Sequence, residues 1–240
     1  MKLKIAALLS IATLLGAAAA PASAGPLTWD FFTLTGNPAA PGYNLGTTQM
    51  TFTQDGLSLD VASYTSSGCM APGSWCAGSG DLYAKNGGSI DEQGLGLTDD
   101  RYPDDEISAP YGVYVNLTQA GPATDVVIGS VQGTSTDGEA WAVWGSNTGQ
   151  SWTELGSGMG GDLVNFTGAS LAGYDQLIIG DPTGMPYTNS NDILLAEIIT
   201  NGNSVPEPGT LALFGAGLLG GALFASRRRL LRQRRDSDRP

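Results

Sequence analysis

Short runs of branched and aromatic residues recur between residues 25 and 204, separated by clusters of Gly, Pro, Asn, Asp and Ser. Such runs are typical of β-strands, and no helical period of useful length interrupts them. We predict eight strands from these runs: Leu27–Thr33, Met50–Phe52, Leu57–Tyr64, Tyr111–Leu117, Asp125–Val131, Trp141–Trp144, Gln176–Ile179 and Ile193–Ile199. Many short strands at near-regular spacing favour an all-β sandwich or jelly roll over residues 25–204.

The N-terminal end of the chain departs from this β pattern. Lys2 and Lys4 precede an apolar run from Ile5 to Ala20, and a small-x-small sequence follows at residues 22–24. This order predicts a secretory signal peptide over residues 1–24 that signal peptidase removes. A permanent N-terminal span is the less favoured alternative because the cleavage site is well formed. We therefore expect the protein to be exported.

The C-terminal end, residues 205–240, has three parts in a fixed order. The tetrapeptide Val205, Pro206, Glu207, Pro208 comes first, then an uncharged run from Thr210 to Ser226, then a cluster of seven arginines. The two prolines hold the backbone extended, a form that a processing enzyme can accept in a cleft. The uncharged run predicts a transmembrane helix of roughly 24 Å. The arginines bias that end of the helix towards the cytoplasm.

This order of parts resembles the PEP-CTERM sorting signal of bacterial surface proteins, which membrane proteases called exosortases recognise. The resemblance implies an exosortase as a partner, transient anchoring in the membrane by the C-terminal helix, and delivery to the cell surface or extracellular matrix. An ordinary C-terminal membrane anchor is the alternative, although a plain anchor needs no Pro-Glu-Pro segment before it. The tail continues to Pro240, which is longer than the usual tail of this signal.

The charge of residues 25–204 excludes several classes of function. This segment holds Lys85 and Arg101 as its only basic residues against twenty acidic ones, a formal charge of −18. Such a surface repels nucleic acid and anionic lipid and attracts cations. The chain contains no histidine. Ser-His-Asp catalysis, Cys-His catalysis and histidine-ligated zinc are therefore excluded.

The chain has two cysteines, Cys69 and Cys76, in a Gly- and Ser-rich segment. In an exported protein a close pair of this kind predicts a local disulfide. A redox-active pair is the alternative, but it would favour two intervening residues and a helix start, and the sequence has neither.

The stretch from Trp141 to Leu155, WAVWGSNTGQSWTEL, predicts a strand, a polar turn and a return strand that begins at Trp152. It resembles the corresponding hairpin of galactose-binding-like (discoidin-type) jelly rolls, and the run Asp192–Ile198 resembles the last strand of that family. The resemblance implies a jelly-roll fold. Trp141 and Trp144 point to opposite faces of a regular strand, so one packs in the core and the other faces outward. Both are candidate ligand-binding residues, with structural packing as the alternative role.

The stretch from Gly94 to Ser108 resembles a segment of many PEP-CTERM surface proteins, for which no activity can be carried over. Five carboxylates lie within eight residues of it: Asp99, Asp100, Asp104, Asp105 and Glu106. Dense carboxylates repel one another unless a cation or solvent compensates them, and hard oxygen ligands suit calcium. A solvated acidic loop is the alternative, and the spacing of an EF-hand or an RTX repeat is missing.

Together these patterns predict an exported, very acidic, non-catalytic surface or matrix protein, either structural or binding extracellular polysaccharide. A glycoside-acting enzyme is the alternative, because paired carboxylates are abundant and that chemistry needs no histidine. No carboxylate pair stands out from the acidic background of the sequence.

Overall fold

The structure, a computed structural model, describes residues 25–36, 39–69, 74–98, 105–131, 133–134, 137–182 and 192–202, which all fall in one compact unit. The described chain forms sixteen strands, a four-residue helix and two 3₁₀ turns at Ile90–Glu92 and Leu171–Gly173. In chain order the elements are β1 (Leu27–Asp30), α1 (Phe31–Leu34), β2 (Gly42–Asn44), β3 (Gln49–Gln54), β4 (Leu57–Thr65), β5 (Cys76–Ala77), β6 (Leu82–Asn86), β7 (Gln93–Leu97), β8 (Tyr111–Asn116), β9 (Ala123–Val131), β10 (Gly133–Thr134), β11 (Asp137–Gly138), β12 (Ala140–Ser146), β13 (Thr153–Met159), β14 (Asp162–Thr167), β15 (Gln176–Gly180) and β16 (Leu194–Thr200).

Two antiparallel sheets form a sandwich. Sheet A has the strand order β14-β9-β16-β7-β6-β2, with β1 also paired to β16. Sheet B has the order β13-β12-β15-β8-β4-β3, with β5 also paired to β4. The short strands β10 and β11 pair only with each other. This architecture confirms the predicted all-β sandwich, and the specific likeness to galactose-binding-like jelly rolls stays a prediction.

Strict alternation along the strands builds the core between the sheets. In β4 the side chains of Leu57, Leu59 and Val61 are buried in the core cluster. Asp60, which lies between Leu59 and Val61, and Tyr64, which lies three residues after Val61, are only partly buried. Because successive side chains of a strand point to opposite faces, the second set lies on the outer face of sheet B. Burial of one aliphatic side chain contributes about 1.5–3 kcal/mol, so this alternation fixes which face of β4 meets sheet A.

The first predicted strand, Leu27–Thr33, is wrong at its end. β1 stops at Asp30, whose Oδ1 accepts a hydrogen bond from the Thr33 amide at 3.2 Å and whose Oδ2 accepts one from the Thr33 hydroxyl at 2.6 Å. An aspartate that accepts these bonds is a helix N-cap, which starts α1 in place of an extended strand. The turn buries Phe31 in the core, edge-on to Phe52 with 5.3 Å between the ring centroids.

The predicted hairpin after Trp141 is confirmed. Strand β12 pairs with β13, with Trp141 opposite Gly158 and a bulge between Val143 and Trp144. The Ser146 hydroxyl accepts bonds from the amides of Thr148 at 3.2 Å and Gly149 at 2.9 Å, which closes the polar turn. Ser146 and Gly149 therefore take part in the polar turn that the sequence predicts.

The disulfide between Cys69 and Cys76 is also confirmed. Within the described ranges no helix is both long enough and apolar enough to cross a membrane. The predicted signal peptide (residues 1–24) and the predicted transmembrane run from 210 to 226 lie outside those ranges.

Candidate functional site

Aromatic side chains lie on the outer face of sheet B. The register places Tyr114 of β8 beside Ile178 of β15, and Ile178 beside Trp144 of β12. Tyr64 of β4 lies two positions beyond Ala62, the residue opposite Tyr114. Because these residues alternate along their strands with residues that face the core, their rings project away from sheet A. The outer face of sheet B thus carries an aromatic band across neighbouring strands.

Two tyrosines form the centre of this band. The rings of Tyr64 and Tyr114 stack with 4.5 Å between centroids and 13° between planes. Trp152, just before β13, also contacts Tyr114, edge-on, at a centroid distance of 6.2 Å and an angle of 85°. Tyr114 thus has two aromatic neighbours, and Tyr64 is the end of this row of ring contacts. All three side chains are half-buried.

A groove of about 540 Å³ runs beside the two tyrosines over strands β3, β4 and β8. Its lining mixes aromatic, apolar and polar groups: Thr48, Gln49, Met50, Thr51, Asp60, Val61, Ala62, Ser63, Tyr64, Ala77, Gly78, Tyr114 and Asn116. A cavity of this size accommodates a drug-sized molecule.

A hydrogen-bonded polar row crosses the groove next to the tyrosines. Asp60 pairs in register with Thr51 on one side and Asn116 on the other. Its Oδ1 accepts a bond from the Thr51 hydroxyl at 2.7 Å, and its Oδ2 accepts one from Asn116 Nδ2 at 3.5 Å. An ionised carboxylate has about four acceptor positions, so Asp60 keeps acceptor capacity for a ligand.

The protonation of the tyrosines follows from the same arrangement. Burial, and then the nearby Tyr64 and Asp60, raise the pKa of the Tyr114 phenol to about 12. Burial also raises the pKa of Tyr64. Both hydroxyls are therefore neutral near pH 7 and can donate as well as accept hydrogen bonds.

Three buried polar atoms of sheet B and its flank lack a hydrogen-bond partner among the described residues: Ser63 Oγ, Trp152 Nε1 and Gln176 Oε1. Ser63 belongs to the groove lining and is 1% exposed. Trp152 contacts Tyr114, and Gln176 is the register partner of Asn116. Buried polar atoms without partners are rare in proteins and call for an explanation such as a bound polar group. Trp152 and Gln176 thus lie beside residues of the outer face, whereas Ser63 alternates with Tyr64 and its side chain points towards the core.

The disulfide segment contributes to the lining of the groove. Strand β5 begins at Cys76, and its second residue, Ala77, pairs with Tyr64. Ala77 and Gly78 then line the groove. The neighbouring Trp75 is 8% exposed and packs on Trp144 with 5.1 Å between ring centroids. The disulfide therefore anchors both this part of the groove lining and Trp75, which packs on Trp144.

The two predicted ligand-binding tryptophans do point to opposite faces. Trp141 belongs to the core, 8% exposed, and packs on Phe166 at a centroid distance of 5.8 Å. Its ring offers no face for stacking. Trp144 lies on the outer face but under Trp75, so its ligand role stays a prediction.

The predicted calcium ligands fall into two groups. Asp99, Asp100 and Asp104 lie outside the described residues. Asp105 and Glu106 are described, and the described residues contain no group of three or more side chains suited to hold a metal. Calcium at this segment stays a prediction.

Glu106 fits that ligand set poorly. It is 3% exposed, forms an ion pair with Lys85 and accepts a bond from the Ser130 hydroxyl at 2.7 Å. A second carboxylate, on Glu92, lies 4.0 Å from the Lys85 ammonium. Burial raises the pKa of Glu106, although Lys85 and Ser130 act to lower it. A cation at the acidic segment would have to compete with Lys85 for this carboxylate.

Sequence reasoning missed Tyr64, Tyr114, Asp60 and Asn116. The available signal is the two-residue period of LSLDVASYT and YGVYVN. Along each strand, residues of one face are buried in the core, and Asp60, Tyr64, Tyr114 and Asn116 belong to the other face. That period assigns the face of each strand. It does not show that β4 and β8 are neighbours, and this pairing creates the groove.

The predicted sorting residues Val205, Pro206, Glu207 and Pro208 lie outside the described residues. A family model, the PEP-CTERM protein-sorting motif, matches residues 204–229. No curated protein and no solved structure matches the chain. The chain carries a PEP-CTERM sorting motif, which makes it an exported surface protein that an exosortase processes.

Proposed function

We propose that this exosortase-sorted protein is a non-catalytic module that binds polysaccharide at the cell surface or in the extracellular matrix. The observation that carries the proposal is the groove on sheet B, where stacked tyrosines stand beside a row of hydrogen-bonding side chains. A sugar ring has apolar C–H faces and polar hydroxyl edges. An aromatic wall next to amide, hydroxyl and carboxylate groups complements both.

The shape of the site supports a chain rather than a small buried ligand. The groove lies on the outer face of a sheet and extends across three strands, so its ends are not enclosed by the sandwich core. The groove offers a ligand several separate contacts. These are Tyr64, at the end of the aromatic row, and Gln49 and Thr51, on the edge strand β3. A polymer that extends beyond the protein can lie in such a groove.

The alternative of a glycoside-acting enzyme needs two carboxyl groups that flank the scissile bond. Asp60 is the one carboxylate among the thirteen lining residues, all of which the structure describes. Binding without hydrolysis therefore matches the groove better than cleavage does.

We also propose how the protein is delivered. Signal peptidase removes residues 1–24, and the C-terminal helix holds the protein in the membrane until the exosortase cleaves near the Pro-Glu-Pro segment. Cleavage leaves the sandwich at the surface or in the matrix, where a polymer-binding groove is useful. Intact mass of the surface-exposed protein tests this route, because an attached Arg-rich tail contradicts it.

The binding proposal is tested with the full-length chain in detergent against a panel of immobilised polysaccharides. We expect at least one polymer to bind, and Tyr64→Ala to weaken that binding about three- to tenfold because a stacking face is lost. Tyr43→Ala is the matched control, because Tyr43 is 43% exposed on β2 of the other sheet. Absence of binding to every polymer, or equal effects of the two substitutions, contradicts the proposal.

A further inference from the structure

We infer that the groove selects neutral, hydroxyl-rich polysaccharide chains and excludes chains that carry carboxylate or sulfate groups. This inference rests on the proposed function and names the ligand class for the same site. It is carried by the charges in and around the groove.

The groove offers no cationic partner to an acidic sugar. Its thirteen lining residues, all described, include no lysine and no arginine. Lys85, the one basic residue among those that the structure describes in the sandwich, lies on β6 of sheet A and is paired with Glu106 and Glu92. An acidic polymer in the groove would therefore lose hydration without gaining an ion pair.

The one charged group in the lining is itself an anion. The bonds from Thr51 and Asn116 hold the Asp60 carboxylate in place beside the tyrosines. A sugar hydroxyl can donate to this carboxylate in a charge-assisted hydrogen bond, whereas a uronate or sulfate group at the same position is repelled. At the position next to its carboxylate, Asp60 therefore favours a sugar hydroxyl over a uronate or sulfate group.

The negative charge of the surrounding surface also disfavours anionic polymers. Residues 25–204 carry a formal charge of −18, and a potential of this sign lowers the local concentration of polyanions around the whole sandwich. Salt limits the reach of this field to about 8 Å at physiological ionic strength, so Asp60 provides the local part of the selection.

Cationic polymers form a different case. A chain with free amines is attracted to the entire acidic surface, and such binding does not require the groove. Its affinity should fall steeply with salt and should not depend on Tyr64. A neutral chain, in contrast, gains its affinity from the tyrosines and the polar row, and should bind nearly equally at low and high salt.

The experiment compares polymers that share a backbone and differ only in charge. Dextran, hydroxyethylcellulose, mannan and galactomannan are each biotinylated as the parent, a carboxymethyl derivative and a diethylaminoethyl derivative, and the full-length chain in detergent is measured by biolayer interferometry. EDTA is present so that a divalent cation cannot bridge two anions. We expect a parent polymer to bind, and its carboxymethyl form to bind on the order of tenfold more weakly.

Asp60→Asn tests the source of the selection. It removes the charge but keeps a polar side chain of the same shape, so it should weaken binding of the parent polymer and bring the carboxymethyl form closer to it. Asp55→Asn is the matched control, because Asp55 is exposed in the turn that joins β3 and β4 and the change in net charge is identical. It should leave the ratio between the two polymers unchanged.

The outcomes separate the inference from the proposed function. Equal or tighter binding of a carboxymethyl form that still depends on Tyr64 overturns the inference and leaves a polysaccharide-binding groove in place. An unchanged ratio in Asp60→Asn overturns the role of Asp60. Binding of the diethylaminoethyl forms alone, independent of Tyr64 and lost in salt, overturns both, as does the absence of any binding.

Discussion

The indole of Trp75 lies against the indole of Trp144 on the outer face of sheet B, with 5.1 Å between centroids and 55° between planes. Glycines under Trp75 make this contact possible. A Cβ at Gly112 would lie 3.0 Å from Trp75 Cζ3, and one at Gly180 would lie 3.3 Å from its Cη2. The aromatic cover of Trp144 therefore depends on two positions without side chains and on the disulfide next to Trp75.

Removal of the disulfide by Cys69→Ser with Cys76→Ser should destabilise the sandwich and weaken the groove. The bridge closes a loop of eight residues, for which the chain-entropy model gives about 2.5 kcal/mol. Urea unfolding of both proteins measures the difference. Polysaccharide affinity should fall as well, because Ala77 and Gly78 of the groove lining follow Cys76 directly. Unchanged affinity would show that this part of the lining does not need the bridge.

The buried pair of Lys85 and Glu106 should show strong coupling in a double-mutant cycle. Lys85→Met leaves a carboxylate that is 3% exposed without its cation, which costs about 3–5 kcal/mol near neutral pH. Addition of Glu106→Gln should recover much of that loss because the buried charge is gone. Additive effects of the two substitutions in urea unfolding would contradict this interpretation.

The cost of Lys85→Met should also depend on pH. Burial already raises the pKa of Glu106, and loss of Lys85 removes a group that lowers it. A carboxyl whose pKa is raised on folding stabilises the fold below its unfolded pKa, and this contribution is lost as the pH rises through the folded pKa. The destabilisation should therefore be smaller in acid than at neutral pH, and an equal loss at both would count against a buried carboxylate.

Alkaline titration of Tyr114 reports on the geometry of the groove. Its pKa is raised to about 12 by burial, Tyr64 and Asp60. The raised value stabilises the fold below the usual tyrosine pKa of about 10. That contribution is lost as the pH passes through about 12. Absorbance at the phenolate band should show one tyrosine that titrates later in the native protein than in Asp60→Asn. A curve unaffected by this substitution would place Asp60 away from the ring.

Asp30 and Glu197 face each other across the β1–β16 pair, and like charges in that position are unfavourable. Burial, and then Asp30, raise the pKa of Glu197. The stabilising contribution of its protonated form is present in acid and is lost as the pH rises through the folded pKa. Glu197→Gln should thus stabilise the protein at neutral pH by less than about 1 kcal/mol, with no gain in acid. Equal effects at both pH values would contradict this.

Much of the sandwich was predictable because its central strands are rich in branched and aromatic residues. All eight predicted strands overlap observed ones, as Leu57–Tyr64 does with β4. The sequence did not indicate β6 (Leu82–Asn86) or β7 (Gln93–Leu97). Strand β7, QGLGL, contains glycines that normally weaken a strand. Here Gly96 is required, because a Cβ there would lie 1.9 Å from the Asp105 carbonyl oxygen that crosses it.

The groove itself was not predictable. The alternation in β4 and β8 assigns Asp60, Tyr64, Tyr114 and Asn116 to one face of their strands, but β8 lies some fifty residues beyond β4 in the chain. The pairing of β4 with β8 is a property of the whole fold and cannot be predicted from either strand alone. The sequence analysis therefore named Trp141 and Trp144 as candidate ligand-binding residues instead. The prediction that Trp141 and Trp144 point to opposite faces of their strand was correct. The contact of Trp75 with Trp144 could not be predicted from the sequence.

Hydroxyl-radical footprinting of the full-length chain, with and without a saturating neutral polysaccharide, tests the binding groove most directly. Oxidation of Tyr64 and Tyr114, read by mass spectrometry, should fall when the polymer is bound. Tyr43 and Met159, which are 43% and 41% exposed away from the groove, should be oxidised equally in both samples. Protection at Tyr43 or Met159 while Tyr64 remains as reactive as in the free protein would contradict a binding site in the groove over β3, β4 and β8.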